Sequence, residues 1–502
     1  MGFELDWIKS RSVLLPNKCA VIDTVSNNAW TYSQLNDRSA YLAEYFLSIG
    51  VQKGYRIALL ATNHVCYFDF LFACIKIGAI FVPLNWRLST SELGYMLEDC
   101  TPTIVGIQSS FIKQTDQWKL DFQLLEIDSN NYISRLNNRP RNTKTKLDLS
   151  ENDPLAMIYT GGTTGKPKGA VLSHRSIVWN GINTIVSWNL TDQDTTLTCL
   201  PMFHTGGLNA LSIPILMAGG TVVLSPSFRP EQAVKHLIDY KCTIVLFVPT
   251  MYHMLIKSAD FEKANFPNMK VFLSGGAPCP LGIYEIFSLR GFAFKEGYGL
   301  TEAGPNNFYI DPKDAKRKPG SVGKPMLFNE VKIVNSNGNK TSDDEVGELL
   351  LRGNHLFDYY WNKKDATSRA IVKGWLHTGD LARMDDEGYV YIVGRKKDMI
   401  ITGGENVYPL EIENWMESHD SVEEIAVIGV SDEKWGEMVI AFVAPHHNVS
   451  VTEEELKEYC KKKMASYKIP KRFYIVDQLP KTHVGKINKN QLKKQLRKVK
   501  ED

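Results

Sequence analysis

Short apolar runs and amphipathic stretches alternate along the first part of the chain. Runs such as "YRIALLA" (55–61), "CTIVLFVP" (242–249) and "MKVFLSGG" (269–276) have the length and composition of buried strands. The segments "RPEQAVKHLIDYK" (229–241) and "MYHMLIKSADFEKA" (251–264) carry apolar residues at helical spacing. This alternation predicts a parallel sheet wrapped by helices, and the loops at the carboxyl ends of its strands are expected to bind ligands.

The pattern changes at about residue 320, where shorter β segments separated by turns begin. After Arg395 a compact α+β unit is predicted, with helices in "PLEIENWMESHD" (409–420) and "TEEELKEYCKKKM" (452–464) and strands in "EIAVIGV" (424–430) and "MVIAFVAP" (438–445). We therefore predict an α/β protein of two domains. Residues 1–394 form a large N-terminal domain of mixed and parallel sheets wrapped by helices with a β-rich subdomain, and residues 395–502 form a small C-terminal α+β domain.

Composition narrows the class of partner. The 502 residues carry a net charge of +2, so there is no overall electrostatic case for nucleic acid. The eight cysteines form no C-x-x-C pair and are expected to be reduced thiols in a cytoplasmic protein. The most apolar window, residues 68–84, is interrupted by Asp69 and Lys76, which favours a buried helix and strand over a transmembrane segment. The basic C-terminal stretch is interpreted as a solvated helix whose apolar residues Leu492, Leu496 and Val499 pack inward.

The loop "YTGGTTGKPKG" (159–169) is a candidate phosphate site. It fits neither the P-loop spacing nor G-x-G-x-x-G. Its glycines, its hydroxyl groups at Thr160, Thr163 and Thr164, and its cations at Lys166 and Lys168 supply the donors that an oligophosphate needs. A plain surface loop is the alternative, so this motif alone does not decide between them.

Further motifs each allow a functional and a structural interpretation. In "EGYGLTEAG" (296–304), Tyr298 can stack on a purine while Thr301 and Glu302 reach phosphate and Mg²⁺, or the glycines can simply make a turn. Asp380 and Arg395 can bind the two hydroxyls of a ribose or form a structural salt bridge.

Seven motifs in order resemble the acyl-adenylate-forming superfamily, and in particular bacterial fatty acyl-CoA synthetases. They are "YTGGTTGKPKG", "PMFH", "SGGAP", "YGLTE", "TGD", "GRKKDMIITGGENVYP" and "PKTHVGKINK", and they span nearly the whole chain. The resemblance implies an ATP-dependent acid–CoA ligase with a mobile C-terminal domain. Such an enzyme first forms acyl-AMP with release of pyrophosphate and then transfers the acyl group to CoA, using Mg²⁺ with ATP and CoA as co-substrate.

The resemblance also implies roles for individual residues. Lys486, Glu302 and His204 are the implied catalytic residues, and Glu302 is the implied Mg²⁺ ligand. The acyl pocket would contain His204, Gly206, Gly207 and Phe247, and the hinge and CoA tunnel would contain Lys397, Gly403 and Gly404. The implied ATP and AMP site comprises Thr160, Gly161, Gly162, Thr163, Thr164, Gly165, Lys166, Lys168, Gly276, Ala277, Tyr298, Gly299, Thr301, Asp380 and Arg395.

Two positions depart from the motifs of that superfamily. Gly161 stands where a serine is usual, which removes one hydroxyl donor and predicts a more mobile loop. Glu296 stands where a neutral amide is frequent, so an added negative charge is expected to raise the cost of binding ATP unless a cation offsets it.

The acid itself is only partly defined by the sequence. The segment "PMFHTGGLNALSIPILMAGG" (201–220) contains no carboxylate to pair with an α-ammonium group, which disfavours an amino acid. A medium- or long-chain fatty acid is the first choice, and an aryl acid such as a 4-coumarate-like acid or o-succinylbenzoate is the alternative. Transfer to a carrier protein, a luciferase-type oxygenase and a non-catalytic nucleotide-binding protein also remain open, and the sequence is compatible with a homodimer.

Overall fold

The computed structural model describes residues 4–118, 121–129, 132, 136, 148–161, 166–481 and 487–501. Within them, a first seven-stranded sheet is parallel except at one edge, where Ala29–Thr31 runs antiparallel to Cys19–Asp23. In spatial order its strands are Phe294–Glu296, Val271–Ser274, Ile244–Phe247, Thr195–Thr198, Thr221–Leu224, Cys19–Asp23 and Ala29–Thr31. The parallel order follows from the predicted alternation of strands and helices.

A second seven-stranded sheet mixes parallel and antiparallel pairs. Its strands are Tyr359–Tyr360, Lys168–Ser173, Pro154–Thr160, Ile80–Pro83, Arg56–Leu60, Ile104–Ile107 and Gln123–Glu126. The two strands that flank the candidate phosphate loop are antiparallel, and Thr160 lies opposite Lys168. The loop is therefore the connection of a β-hairpin and not the entry into a helix.

The remaining described strands form two further sheets. The third sheet is antiparallel and contains Phe308–Tyr309, Ser321–Pro325, Val390–Arg395, Trp375–Met384, Gly347–Arg352 and Glu330–Val334, with Ile371–Val372 paired to Trp375–Met384. The fourth contains Glu405–Val407, Ile400–Thr402, Gly436–Pro445 and Val422–Asp432, with Arg472–Ile475 parallel to Gly436–Pro445. The 3₁₀ turn Lys396–Asp398 connects the third sheet to the fourth. The proposed boundary after residue 394 stays a prediction.

The helices follow the sequence signals closely. Capping boxes begin three of them, at Thr31, Ser89 and Thr452, because each of these side chains accepts from a backbone N–H three residues on. The described α-helices are Trp7–Leu14, Tyr32–Ser48, Cys66–Ile77, Thr90–Cys100, His174–Trp188, Thr205–Leu208, Ser212–Ala218, Pro230–Asp239, Pro249–Ile256, Ala259–Lys263, Leu281–Leu289, Pro312–Arg317, Lys364–Ala370, Pro409–Met416, Glu453–Lys461 and Lys489–Glu501. Three 3₁₀ helices among the described residues cover Ser109–Gln117, Thr301–Ala303 and Lys396–Asp398.

The stretch 251–264, predicted as one helical segment, is two helices. Ser258 takes an extended conformation between them, and its side chain accepts a hydrogen bond from the backbone N–H of Asp260. A serine that caps a new helix in this way competes with continuation of the preceding one, which explains the break.

The core confirms the predicted α/β class. The apolar window 68–84 is a buried helix, Cys66–Ile77, followed by the buried strand Ile80–Pro83. The eight cysteines are free thiols, and seven of them are buried. Leu492 and Leu496 of the last helix are buried as predicted, while the side chain of Val499 lies outside the described part. Among the described residues, no helix combines the length and the apolar character that crossing a membrane requires.

Candidate active site

A cleft of about 3230 Å³ collects most of the predicted site residues. Loops at the carboxyl ends of the first sheet, the phosphate-loop hairpin and the third and fourth sheets all contribute to it. The predicted residues that line it are Thr160, Gly161, Lys166, Lys168, His204, Gly206, Gly207, Gly276, Ala277, Tyr298, Gly299, Thr301, Glu302, Asp380, Arg395 and Lys397. Residues distant in sequence thus share one cavity.

A hydrogen-bonded cluster of Tyr298, Asp380 and Arg395 forms one wall. Asp380 and Arg395 lie opposite each other on adjacent strands of the third sheet, and Arg395 Nε is 2.6 Å from Asp380 Oδ1. The Tyr298 hydroxyl donates to Asp380 Oδ2 over 2.5 Å. Burial and the neighbouring carboxylate raise the pKa of Tyr298 well above its ordinary value, so its hydroxyl remains a donor at neutral pH.

A second cluster joins the phosphate-loop hairpin to Glu302. The hydroxyl of Tyr360 donates to Glu302 Oε1 over 2.6 Å, and the ammonium of Lys168 lies 5.3 Å from the centre of the Tyr360 ring. Lys166 lies over Tyr95 at 5.2 Å. Two cations and one carboxylate therefore face the cleft together. Tyr360 was not predicted from the sequence, where only an aromatic doublet next to Trp361 marks its position.

The turn that carries Glu302 depends on a close backbone approach. A Cβ added at Gly299 would lie 2.1 Å from the carbonyl oxygen of Pro305, so a side chain cannot be accommodated there. Thr301 and Glu302 follow in a 3₁₀ helix, and the carbonyl of Glu302 accepts from the backbone N–H of Phe357. The position of Glu302 is therefore fixed by backbone packing as well as by Tyr360.

The phosphate loop is only partly described. Gly162, Thr163, Thr164 and Gly165 lie outside the described residues, as does Lys486. Among the described residues, none has an atom within 4 Å of a Cβ built at Gly161. These described surroundings leave space for a serine at this position and do not require the departure.

Glu296 is buried and does not present the simple negative charge expected from the sequence. Burial raises its pKa to about 8, although hydrogen bonds from the Tyr284 hydroxyl at 2.8 Å and the Cys279 backbone N–H at 3.1 Å oppose the shift. The carboxyl group is thus mostly protonated at pH 7. The predicted electrostatic cost to ATP binding is small at neutral pH because the charge is largely absent.

The segment after His204, which the sequence predicts to surround the acid, lines another part of the cleft. Gly207 cannot carry a side chain, because a Cβ would lie 2.3 Å from the carbonyl oxygen of Pro201, whereas a Cβ at Gly206 would make only an ordinary contact. Gly206 is therefore the glycine that leaves space beside His204. The glycine at position 207 is required by packing.

Phe247 does not line the cleft, in contrast to its predicted place in the acyl pocket. Its side chain is fully buried and packs against Phe228 and Tyr252 in a separate core cluster. The neighbouring residues Leu246 and Val248 line the cleft instead. Because side chains alternate across a strand, only one of two adjacent positions can face the ligand side.

The predicted CoA and hinge residues are divided between two places. Lys397 lines the cleft, whereas Gly403 and Gly404 form the turn between Ile400–Thr402 and Glu405–Val407, away from the described cleft lining. An ion pair joins the region of the first sheet's helix Pro249–Ile256 to the fourth sheet: Lys257, which follows that helix, places its Nζ 2.9 Å from Oε1 of Glu423 in the strand Val422–Asp432. His253 Nε2 lies 3.6 Å from the same carboxylate.

Comparison with known proteins gives a consistent family. The family model "AMP-binding enzyme" matches residues 11–361, and "AMP-binding enzyme C-terminal domain" matches residues 411–486. The chain is similar to a feruloyl-CoA synthase from an Amycolatopsis species, with 36% identity over 97% of this chain and 98% of the relative. An indoleacetate–CoA ligase from Aromatoleum aromaticum is 34% identical over 97% of both chains.

Two further similarities extend the range of acids among relatives. A long-chain-fatty-acid–CoA ligase from Mycobacterium tuberculosis is 32% identical over 97% of both chains. The structure of o-succinylbenzoate CoA synthetase from Bacillus subtilis in complex with ATP and magnesium ion matches with a TM-score of 0.87 and 31% identity, covering 97% of this chain and 99% of that one. The chain belongs to the AMP-binding enzyme family and is an acid–thiol ligase.

Proposed function

We propose that the protein joins an aryl carboxylic acid to CoA through an acyl-adenylate. The observation that carries this proposal is the convergence of the Tyr298–Asp380–Arg395 cluster, the Lys168–Tyr360–Glu302 cluster and the His204 segment on one cleft. The first cluster suits a nucleoside, the second suits a polyphosphate, and the apolar wall of Leu246 and Val248 suits an uncharged tail.

The first step makes a mixed anhydride. A carboxylate oxygen of the acid attacks the α-phosphorus of ATP, the bond to the bridging oxygen breaks, and pyrophosphate leaves with its electron pair. In the proposal, Asp380 and Arg395 hold the ribose hydroxyls, and the loop from Thr160 to Lys168 holds the leaving phosphates. Lys166 and Lys168 then stabilise the charge that develops on pyrophosphate.

Mg²⁺ suits the groups around Glu302. Mg²⁺ in nucleotide sites is usually held by one or two carboxylates together with substrate phosphates and waters, and Glu302 offers one carboxylate beside the phosphate-loop lysines. The described residues contain no cluster of three or more potential metal ligands, so substrate phosphates and waters would supply the oxygens that Glu302 does not. Bound there, the ion would offset phosphate charge.

The second step transfers the acyl group to the thiolate of CoA, which attacks the carbonyl carbon and displaces AMP. We propose that Lys486 contacts the acid carboxylate and the α-phosphate only during the first step. A rotation of the C-terminal domain about Lys397 would then withdraw Lys486 and bring Gly403 and Gly404 to the pantetheine path. One site would in this way support two reactions in sequence.

An aryl acid is favoured by the two similar ligases that share 36% and 34% identity with the chain, which are named for feruloyl-CoA and indoleacetate. The fatty acid that the sequence favoured is the second candidate, supported by the similar long-chain-fatty-acid–CoA ligase at 32% identity. Because fold does not determine the acid, only turnover can separate the two.

The experiment is acid-dependent pyrophosphate release with and without CoA, across matched panels of aryl, fatty and amino acids. We expect release with aryl acids and formation of the corresponding thioester only when CoA is present. Turnover confined to fatty acids would replace the aryl proposal with the second candidate. Absence of release with every acid would refute catalysis by this site.

Lys486→Ala tests the division between the two steps. We expect it to abolish pyrophosphate release from acid and ATP while sparing attack of CoA on supplied acyl-adenylate, because the lysine acts only in the first arrangement. Lys461→Ala is the matched control, since Lys461 is an exposed lysine of the C-terminal part that pairs with Glu458 on the same helix and is not among the residues that line the cleft. Equal loss of both steps in Lys486→Ala would contradict the proposed rotation.

A further inference from the structure

Tyr360 connects a cation of the phosphate loop to the carboxylate of Glu302. It ends the short strand Tyr359–Tyr360, which pairs antiparallel with the strand Lys168–Ser173 that follows the loop. The centre of its ring lies 5.3 Å from the ammonium of Lys168, and its hydroxyl donates to Glu302 Oε1 over 2.6 Å. One aromatic side chain therefore stands between a cation and a carboxylate that both face the cleft.

The Tyr360 hydroxyl restrains the side chain of Glu302. No other described residue donates a hydrogen bond to this carboxylate or forms an ion pair with it. Burial and the nearby carboxylate raise the pKa of Tyr360 far above its ordinary value, so the hydroxyl keeps its proton at neutral pH. A glutamate side chain rotates about several bonds, and backbone packing alone would not hold its carboxylate in one orientation.

The position of the Tyr360 hydroxyl is itself fixed. The ring packs edge to face against Phe357, with ring centres 4.8 Å apart, and the backbone N–H of Tyr360 donates to the Thr367 hydroxyl over 2.9 Å. The backbone N–H of Phe357 donates to the carbonyl oxygen of Glu302 over 2.9 Å. Residues 357–360 therefore hold both the main chain and the side chain of Glu302.

Tyr360 also keeps the two charges apart. Within the described part of the chain, Lys168 and Glu302 form no direct ion pair. A direct pair would satisfy each charge with the other, whereas the face of an aromatic ring holds a cation and the hydroxyl at its edge holds a carboxylate. Lys168 thus remains able to bind a phosphate, and Glu302 Oε2 accepts from no described residue.

We infer that Tyr360 is a positioning residue that orients Glu302 for Mg²⁺ and thereby makes nucleotide binding depend on the metal. The inference rests on the proposed function, which assigns Mg²⁺ to Glu302. Groups that hydrogen-bond a metal ligand typically contribute about tenfold to a hundredfold to metal affinity, because they fix the ligand's orientation. Tyr360 contributes in this way without touching the ion or the reacting atoms.

The test measures the dissociation constant of α,β-methylene-ATP by calorimetry, once with EDTA and once with saturating Mg²⁺. The methylene group replaces the bridging oxygen, so no adenylate forms. The ratio of the two constants, without and with Mg²⁺, reports how strongly metal and nucleotide support each other's binding. Tyr360→Phe keeps the ring but removes the hydroxyl, and we expect this ratio to fall by about tenfold, towards that of Glu302→Gln.

A matched control and a double variant separate positioning from packing. Tyr359→Phe removes a hydroxyl from the adjacent residue, which is not among those lining the cleft, and it should keep the wild-type ratio. In the Glu302→Gln background, Tyr360→Phe should lower the ratio no further, because the hydroxyl acts through Glu302. A packing defect in Tyr360→Phe would weaken nucleotide binding equally with and without Mg²⁺, and the resulting unchanged ratio would overturn the inference.

Glu302→Asp tests the same contact without altering Tyr360. The shorter side chain keeps the carboxylate but withdraws it from the hydroxyl, so the ratio should fall as it does in Tyr360→Phe. A wild-type ratio in Glu302→Asp would contradict the need for this hydrogen bond.

The same measurements distinguish failure of the inference from failure of the proposed function. If Glu302→Gln has the wild-type ratio, the assignment of Mg²⁺ to Glu302 in the proposed function is wrong. If Glu302→Gln loses the effect of Mg²⁺ while Tyr360→Phe retains it, the proposed function stands and the role of Tyr360 is wrong.

Discussion

Replacement of Glu296 by glutamine tests whether burial keeps this carboxyl group neutral beside the nucleotide wall. Glutamine imitates the protonated carboxyl group, since its oxygen can accept from the Cys279 backbone N–H and its amide can donate to the Tyr284 hydroxyl. The variant therefore removes a titration with little change in shape. Any difference from the wild type should grow with pH.

The magnitude follows from the pKa of Glu296, which burial raises from 4.5 to about 8. Between these values the folded state retains a proton that the unfolded state has lost, so wild-type stability falls as pH rises, by about 1.4 kcal/mol per pH unit. The fall should amount to about 2 kcal/mol between pH 6 and pH 8 and should level off above the folded pKa. Glu296→Gln has no such titration, so its free energy of unfolding should increase relative to that of the wild type between pH 6 and pH 8.

The assay is chemical unfolding of wild type and Glu296→Gln at pH 6, 7, 8 and 9, together with KM for ATP at each pH. Above about pH 8, the wild-type KM for ATP should rise because a carboxylate forms near the polyanion, whereas the variant should not show this rise. Glu262→Gln is the control, since it neutralises an exposed carboxylate in the helix Ala259–Lys263. Parallel pH profiles for wild type and Glu296→Gln would refute the assignment of a buried neutral carboxyl group.

Three further substitutions test other parts of the structure. Asp380→Asn weakens the contact with Arg395 and removes charge-assisted hydrogen bonds, so KM for ATP should rise by about tenfold to a hundredfold. An unchanged KM for ATP in the pyrophosphate-release assay would contradict this expectation. Phe247→Ala should lower the free energy of unfolding by about 3–5 kcal/mol, because the side chain is fully buried, and it should leave the order of acids by kcat/KM unchanged. A changed order of acids would show that Phe247 belongs to the acyl pocket. Lys257→Met removes one of the two partners of Glu423. Because exposed ion pairs contribute about 0.2–1 kcal/mol, the ratio of the adenylation rate to the thioester-forming rate should change by less than about fivefold, with little loss of stability.

The sequence allowed the class of fold to be predicted because strands and helices have different periods. The alternation of apolar runs and amphipathic stretches indicated the parallel sheet, and the buried helix before Ile80–Pro83 was recognisable from its apolar run. The length of helices was less predictable. The break at Ser258 depends on whether a short side chain caps a new helix or remains within the old one, and local preference for either is weak.

The candidate site was predicted through motifs and not through contacts. The motifs identified Tyr298, Asp380 and Arg395 as candidate nucleotide-binding residues. The hydrogen bond between Tyr298 and Asp380, however, joins residues 82 positions apart in the chain and has no local sequence signal. Tyr360 was missed for the same reason, because it meets Glu302 across 58 positions of the chain.

The sequence by itself determined the family resemblance, the α/β class and the chemical types of the nucleotide-binding residues, because these depend on residue identity and spacing along the chain. Tertiary structure decided which side of a strand faces the cleft, and so placed Leu246 and Val248 there in place of Phe247. It also decided that Glu296 is largely neutral near pH 7, since the charge of a carboxyl group depends on how far burial removes it from water.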